Sequence, residues 1–264
     1  MNSVTIVTAF FDINREKNGD GRSIAEYLQW IHKTLQLNCN LFVVTEEKFR
    51  DFFVNNRPKH LPMHLKIMTF QESHYYRYYN QIKHILASPE YRSKVLDPNR
   101  VECVLPEYCI IQYSKFHYID IAVKENPFQS SSFFWMDAGI SRFFLDVDIS
   151  KPYPSKPVHE FLAANPDKFL IQKRHDLETY PIDDLFVWNS ANLLSGGMFG
   201  GGKDIVLRIG EKVEQVFVNK MLKQNNVNNE QLALAMVWKD MREYFVTPPN
   251  VFGGHFSLFK LMSQ

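Results

Sequence analysis

Cysteine is scarce in this sequence, and the few cysteines are not spaced as metal ligands. The 264 residues include Cys39, Cys103 and Cys109, an odd number that cannot all form disulfides with one another. We expect reduced thiols, which are usual in the cytosol. Because no CxxC pair occurs, the sequence does not favour a structural zinc site.

Long apolar runs are also missing. No stretch approaches the roughly 18 to 20 apolar residues that a membrane-spanning helix needs. The N-terminal segment MNSVTIVTAFFD has no basic region, and its apolar stretch ends at Asp12, so a signal peptide is not expected. These features predict a cytoplasmic protein without a transmembrane segment.

An excess of charge of one sign is absent as well. The chain has 30 Lys and Arg residues against 29 Asp and Glu residues, which gives a net charge of +1. A general nucleic-acid-binding protein needs a basic surface, so nucleic acid is not an expected partner. Hydrophobic residues make up 45% and aromatic residues 14% of the chain, which is enough for a folded core. No repeat or Ser/Gly linker divides the sequence, so a single domain is expected.

Buried strands alternate with amphipathic helices in the first part of the chain. Residues 4–11 form an almost unbroken apolar run, typical of a strand buried on both faces of a parallel sheet. Ser23 is placed to cap the helix that follows. We therefore expect an α/β protein with a central, mostly parallel sheet flanked by helices. The other predicted strands cover 41–45, 65–70, 132–137 and 169–172, and the predicted helices cover 24–37, 46–56, 77–87, 109–125, 203–223 and 228–243.

The motif FFWMDAG places an acidic residue, Asp137, at the end of a predicted buried strand. Ligands of open α/β sheets bind outside the carboxyl ends of the strands. A carboxylate there can hold a divalent cation that bridges a diphosphate, because hard cations prefer carboxylate oxygen. The alternative is that Asp137 only caps the turn after the strand. Lys115 and Asp120, on the helix that leads to this strand, are further candidates for cofactor binding.

The glycine-rich run SGGMFGGG, residues 195–202, nearly spells a phosphate-binding loop with Lys203. The following position should be Ser or Thr, which would hold magnesium, but it is Asp204. This argues against a nucleoside triphosphatase. We expect instead a loop whose glycines let a ligand approach the backbone closely, with a plain turn as the alternative.

Two polar motifs follow in the C-terminal part. In NNEQ, Glu230 lies in the first turn of a predicted helix, where an acid is favoured by the helix dipole. It either caps the helix or faces a cleft as a base or a sugar-hydroxyl ligand. In GGHF, His255 either is an ordinary loop residue or supplies an imidazole to a metal opposite Asp137.

Several segments taken together resemble a known family. They are VTAFFDI, RSIAEYLQW, NPFQSSSFFWMDAG, SGGMFGGG, NNEQ and GGHF, in this order. The chain is similar over nearly its whole length to the HtrL/YibB family, which occurs in bacterial lipopolysaccharide-core and capsule loci. WMDAG and the GG-x-FGG block are the most specific of these segments.

The resemblance implies a GT-A-like, Rossmann-like nucleotide-sugar glycosyltransferase. Residues 1–139 would form the nucleotide-binding half and residues 140–264 the acceptor-binding half of one domain. An Asp-x-Asp motif in such enzymes binds manganese or magnesium, but the third position of the motif is Gly139 in this chain, so one carboxylate is missing. By residue, the resemblance implies Thr8, Phe10 and Asp12 at the base and ribose, Asp137 and His255 at the metal, Gly196 and Gly197 beneath the sugar, and Glu230 at the acceptor.

The expected activity is transfer of a sugar from a nucleotide diphosphate sugar, UDP-sugar being favoured, to a hydroxyl of a saccharide acceptor. Asp137, His255 and Lys115 would neutralise the leaving diphosphate, and Glu230 would act as the base. The pathway implied is synthesis of a surface glycan, such as lipopolysaccharide, capsule or glycoprotein glycan. A lipid-linked acceptor would bring the protein to the inner face of a membrane.

Two alternatives remain open at the level of sequence. The missing second carboxylate suits a non-catalytic nucleotide- or carbohydrate-binding protein on the same fold. A hydrolase that uses an Asp and a Glu as acid and base would cleave a glycoside without any nucleotide.

Overall fold

Seven strands form one sheet in the part of the chain that the structure describes. This computed structural model describes residues 3–144, 147–248 and 257–264. The strand order is β3-β2-β1-β4-β6-β5-β7. Parallel pairing joins β3, β2, β1 and β4, and also β5 and β7, whereas β6 is antiparallel to both of its neighbours. The strands are β1 (Val4–Phe10), β2 (Asn40–Thr45), β3 (Met63–Ile67), β4 (Ser132–Met136), β5 (Phe169–Lys173), β6 (Leu194–Gly202) and β7 (Phe245–Val246).

Helices cover both faces of this sheet. They are α1 (Arg15–Asn18), α2 (Ile24–Thr34), α3 (Arg50–Asn56), α4 (Tyr79–Ala87), α5 (Pro89–Lys94), α6 (Pro106–Glu125), α7 (Lys156–Ala164), α8 (Lys203–Val216), α9 (Glu230–Asp240) and α10 (Ser257–Leu261). One hydrophobic core lies under α4, α5, α6, α8 and α9, and a second lies under α2, α7 and α10. The expected single α/β domain with a mostly parallel sheet is confirmed.

Strand β1 explains how one segment serves both cores. All seven of its residues are buried, and successive side chains of a strand point to opposite faces. Val7 and Ala9 therefore pack in one core, while Ile6 and Phe10 pack in the other. This two-sided burial is the reason for the unbroken apolar run in the sequence.

Helix α2 begins where the sequence predicts. The Ser23 side chain accepts a hydrogen bond from the Glu26 backbone N–H, and the Glu26 carboxylate accepts one from the Ser23 backbone N–H. This reciprocal capping box fixes the first turn. The helix predicted over 203–223 is shorter than expected. Helix α8 ends at Val216, and a π-helical turn over Phe217–Met221 follows it.

The glycine-rich run is a strand, so the prediction of a loop at residues 195–202 is wrong. These residues lie in β6, between β4 and β5. A Cβ atom at Gly200 would lie 2.3 Å from the Phe133 carbonyl oxygen, and one at Gly201 would lie 2.2 Å from the Lys168 carbonyl oxygen. The glycines therefore let the chain's own backbone pack closely, which a sequence pattern cannot distinguish from close approach of a ligand.

A buried arginine joins the segments around β2. The Arg57 guanidinium donates to the carbonyl oxygens of Leu35, Leu37, Cys39 and Pro62 at 2.6–2.9 Å. These carbonyls follow α2 and precede β2 and β3, so one side chain satisfies acceptors that would otherwise be buried without partners.

The three cysteines are buried and free, as the sequence predicts. Within the described ranges, no helix combines the length and the apolar character that a bilayer span requires.

Candidate functional site

A cavity of about 390 Å³ opens at the carboxyl ends of β1 and β4. The chain leaves β1 toward β2 and β3 on one side and returns to β4 on the other, so the strand order reverses between β1 and β4. Ligands of open α/β sheets bind in the crevice at such a reversal. The cavity walls come from residues 9–17, 22–27, 108–115 and 135–142, and the volume suits a small organic ligand.

Asp137 follows β4 directly and lies at the cavity with 41% of its side chain exposed. Its backbone N–H donates to the Gly197 carbonyl oxygen at 2.9 Å. Its Oδ1 atom accepts a 2.6 Å hydrogen bond from Trp135 Nε1 and lies 3.1 Å from Lys115 Nζ. The carboxylate is therefore held from behind on one oxygen.

Lys115 lies buried between this carboxylate and a second one. Helix α6 presents Tyr108, Ile111 and Lys115 to the cavity, at spacings that place them on one helix face. Lys115 Nζ donates to Glu230 Oε1 at 2.6 Å and to the Gly196 carbonyl oxygen at 3.0 Å. Burial alone would lower the pKa of Lys115, but the two carboxylates outweigh it and raise that pKa, so the ammonium is charged.

Glu230 begins α9 and is fully buried. The preceding Asn229 caps this helix, so the sequence motif NNEQ does form a helix start. Glu230 Oε2 has no hydrogen-bond partner among the described residues. Burial raises the pKa of Glu230, and Lys115 offsets only part of that effect. A Cβ atom at Gly196 would lie 2.3 Å from Glu230 Oε1, so a larger residue there would require the Glu230 side chain to shift.

The structure does not bring Glu230 to the cavity, although the sequence proposes it as the base that contacts the acceptor. Lys115 lines the cavity and Glu230 does not. The carboxylate oxygen that contacts Lys115 faces protein, and the side chain has no exposed surface. Its position behind Lys115 favours a supporting role.

Basic side chains outnumber acidic ones along the cavity wall. Arg15 and Arg22 share Asp20 as an ion-pair partner, at 2.6 and 3.3 Å. The Arg142 guanidinium packs 4.8 Å from the Trp30 ring centroid and forms no ion pair within the described ranges. Such a wall suits an anionic ligand. The lining basic residues are Arg15, Lys17, Arg22, Lys115 and Arg142, and the lining acidic residues are Asp12, Glu16 and Asp137.

Arg15 fixes the loop that follows β1. Its guanidinium donates to both carboxylate oxygens of Asp20 and to the Tyr27 hydroxyl, and it stacks 4.4 Å from the Tyr108 ring centroid. Burial would raise the pKa of Asp20, but the hydrogen bonds from Arg15 outweigh it and lower that pKa. Arg15 therefore ties the β1 loop to α2 and α6 around the cavity.

The other predicted site residues fall into two groups. Phe10 and Asp12 line the cavity, and Asp12 forms a 2.9 Å ion pair with Lys48. Thr8 is buried in β1, and Asp120 pairs with Lys124 on α6; neither lines the cavity.

Gly196 and Gly197 reach the site through their backbone. Their carbonyl oxygens accept from Lys115 Nζ and from the Asp137 N–H, respectively. His255, the second predicted metal ligand, lies outside the described residues.

Sequence reasoning missed three arginines of the cavity wall: Arg15, Arg22 and Arg142. A signal for them exists, because Arg15 and Arg22 lie in the polar loop after β1 and Arg142 lies in the loop after β4. The rule that singled out Asp137, namely polar residues beyond the carboxyl ends of strands, applies equally to them.

The donor set around Asp137 can be compared with the needs of a divalent cation. Within the described ranges, no group of three or more His, Cys, Asp or Glu side chains could hold a metal ion. Asp137 Oδ1 is taken by Trp135 and Lys115, which leaves Oδ2. These residues do not fit a cation that both oxygens of Asp137 would bind, because the Lys115 ammonium already lies at one of them.

A sequence comparison assigns the chain to a family. Residues 2–264 match the family model described as "Bacterial protein of unknown function (HtrL_YibB)". The chain belongs to the HtrL/YibB family. This match confirms the family that the ordered motifs predicted. The matched range includes every residue that lines the cavity.

Two solved structures are similar to this HtrL/YibB chain. The crystal structure of mouse xyloside xylosyltransferase 1 in its apo form has a TM-score of 0.45 and 10% identity, covering 93% of this chain and 84% of that chain. A cytidylyltransferase from Leptospira borgpetersenii serovar Hardjo-bovis has a TM-score of 0.40 and 11% identity, covering 95% and 77%. Both TM-scores are below 0.5, so neither likeness bears on substrate or reaction. None of the curated proteins compared with the chain matches it.

Proposed function

We propose that this HtrL/YibB protein is a glycosyltransferase that moves a sugar from a nucleotide diphosphate sugar to a hydroxyl of a saccharide acceptor. The observation that carries the proposal is the cavity at the reversal of strand order, with five basic and three acidic side chains in its wall. A diphosphate carries the negative charge that this excess of cations matches. Family membership supports the same reading through the resemblance described above.

Arg142 is the residue that we assign to the diphosphate. It has no carboxylate partner among the described residues, and its buried Nε atom has no hydrogen-bond partner there. A guanidinium donates in a planar fork that matches phosphate oxygens. Tyr27 and Tyr108 offer aromatic surface in the same cavity for a base or a sugar ring.

The reaction exchanges one bond at the anomeric carbon of the donor sugar. The bond to the diphosphate oxygen breaks with its electron pair leaving on the diphosphate, and a bond to the acceptor oxygen forms. We assign the acceptor's proton to the exposed Asp137 carboxylate, which lies at the cavity. Basic side chains of the wall stabilise the charge that develops on the leaving group.

The finer assignments come from the family resemblance. We propose a UDP-sugar as the donor and a surface-glycan saccharide as the acceptor, met by a cytoplasmic protein at the inner face of a membrane when the acceptor is lipid-linked. The resemblance also implies manganese or magnesium, and the cation is a variable of the test below.

A screen of sugar nucleotides tests the proposal. The protein is incubated with UDP-, GDP- and CMP-sugars and a panel of saccharide acceptors, with manganese or with a chelator, and release of the nucleotide is measured. We expect release from one donor class. The variant Arg142→Ala should lower kcat/KM by about 10-fold or more, since a hydrogen bond between charged groups contributes about 1.5–3 kcal/mol.

The matched control is Arg50→Ala. Arg50 is an exposed arginine that pairs with Glu47 away from the cavity, so its loss should leave kcat/KM unchanged. Nucleotide binding without release from any donor would favour a non-catalytic binding protein instead. Cleavage of a glycoside with no nucleotide present would favour a hydrolase.

A further inference from the structure

A continuous chain of charges runs from the buried interior to the cavity. Glu230 Oε1 lies 2.6 Å from Lys115 Nζ, and that nitrogen lies 3.1 Å from Asp137 Oδ1. The third contact of the ammonium is the Gly196 carbonyl oxygen at 3.0 Å. An ammonium group has three N–H donors, and Lys115 uses two of them on Glu230 and on the Gly196 carbonyl oxygen, while Asp137 is its second ion-pair partner.

This arrangement decides what can bind Asp137. A divalent cation that both oxygens of Asp137 coordinate would have to displace Lys115 from Oδ1. Glu230 and the Gly196 carbonyl oxygen hold the Lys115 ammonium in place, so a cation at Oδ1 would lie close to a second positive charge. Like charges at such short range repel each other strongly, so the protein resists a cation at this oxygen.

Protein encloses the Glu230 carboxylate on all sides, and Lys115 is in direct contact with it. The carboxylate has no exposed surface, and its Oε1 occupies space that a Cβ atom at position 196 would fill. Trp135 Nε1 donates to the same oxygen of Asp137 that Lys115 contacts. One oxygen of Asp137 thus has both a hydrogen bond and an ion pair, and its other oxygen is left for the cavity.

We infer that Lys115, held in place by Glu230, occupies one of the two positions at Asp137 that a divalent cation would take, that the remaining oxygen Oδ2 does not hold a cation alone, and that the nucleotide binds without a divalent cation. This inference rests on the proposed function. The positive charge that meets the diphosphate then comes from side chains of the cavity wall such as Arg142. Glu230 is a positioning residue that acts through Lys115, and it does not contact the substrate.

Calorimetric titration of the full chain with UDP, GDP and CMP tests the inference, each in EDTA and again in excess manganese. For the nucleotide that binds, we expect the two Kd values to agree within about two-fold. A wild-type Kd that rises by about 10-fold or more in EDTA would overturn the inference and leave the proposed function intact. Absence of binding by every nucleotide in both conditions would overturn the proposed function itself, and the inference with it.

The double variant Lys115→Met/Glu230→Gln removes both buried charges together and so avoids an unpaired one. It frees Asp137 Oδ1 from the ammonium, so binding should become dependent on manganese. We expect a Kd in EDTA about 10-fold above that of the wild type, recovered at least partly by manganese. A Kd that stays at the wild-type value in both conditions would contradict the inference.

Two further variants separate this role from a purely structural one. Lys115→Arg keeps the charge and should keep binding independent of manganese. Lys66→Met removes a lysine that pairs with Glu125 at 2.6 Å outside the cavity, and it should change neither Kd. Thermal unfolding of each variant checks that the fold persists. If the double variant does not fold, Lys115→Arg decides, because manganese dependence in it would overturn the inference.

Discussion

Gly196 shows how a single missing side chain supports the site. A Cβ atom there would lie 2.3 Å from Glu230 Oε1 and 3.0 Å from Gln231 Cγ. Gly196→Ala should therefore push Glu230 away from Lys115 and loosen the hold on Asp137. We expect a loss of about 1–3 kcal/mol in the free energy of unfolding, as for other overpacked sites, together with an increase in the nucleotide Kd. Urea unfolding and calorimetric titration measure the two effects.

Gly210→Ala is the matched control for this prediction. A Cβ atom at Gly210 would lie 2.9 Å from Phe116 Cβ, at the contact of α8 with α6 and away from the cavity. We expect it to lower stability by a comparable amount and to leave the nucleotide Kd unchanged. An unchanged Kd in Gly196→Ala as well would refute the link between Gly196 and the cavity.

Individual residues of the site were predictable to different degrees. Asp137 follows from one local rule, because it ends a buried strand, and Lys115 follows from its place on the helix before that strand. The pairing of Lys115 with Glu230 joins positions that are 115 residues apart, and only the packing of α9 against β6 and α6 brings them together. No local pattern in the sequence contains that information.

At the scale of elements, β6 is the strand whose composition is least typical of a strand. Glycine is usually depleted in strands, yet β6 pairs with β4 on one side and β5 on the other. Gly201→Ala would place a Cβ atom 2.2 Å from the Lys168 carbonyl oxygen, where backbone cannot move aside easily. We expect a loss of about 1–3 kcal/mol or more in the free energy of unfolding, measured in urea.

The control for this strand is Lys203→Ala. Lys203 follows β6 directly, begins α8 and is exposed, so its removal should change stability by no more than about 0.5 kcal/mol. Equal stabilities of the two variants would mean that β6 yields to the added methyl group, against the close packing described above.

The elements that the sequence predicted well are those with a strong local pattern. The apolar run of β1 predicts a buried strand, and the capping box of α2 predicts a helix start, each from only a few residues. Strand β6 was missed because its glycines are required by close packing against the neighbouring strands, which the local sequence does not show. Strand β7 was missed because its two residues, Phe245–Val246, are too few to show a periodicity. Tertiary context overrides propensity in both cases.

For the whole molecule, charge is balanced overall but uneven locally. The net charge is +1, whereas the cavity wall has five basic and three acidic side chains. Attraction of an anionic ligand should therefore come from short-range contacts that salt weakens. Raising the salt from about 0.1 to 1 M shortens the screening length from about 10 to 3 Å, and we expect the Kd of UDP to rise several-fold.

Uridine is the matched ligand for that measurement, because it has the same base and ribose and no phosphate. Its Kd should change little over the same range of salt. If salt raises the Kd of uridine and the Kd of UDP by the same factor, the diphosphate does not lie against the basic wall.

The overall architecture was predictable because the local periodicity of apolar residues indicates which segments are strands and which are helices. The strand order and the antiparallel placement of β6 were not, since both depend on contacts between distant segments. The position of the cavity follows once the order is known, because the reversal between β1 and β4 creates the crevice.

The four carbonyl groups that Arg57 satisfies belong to segments on both sides of β2. Release of any one segment would cost bonds to the others, so the end of α2 and the starts of β2 and β3 are coupled in their local opening. We therefore expect this part of the sheet to open as one cooperative unit, and β1, which pairs directly with β2, lies next to it.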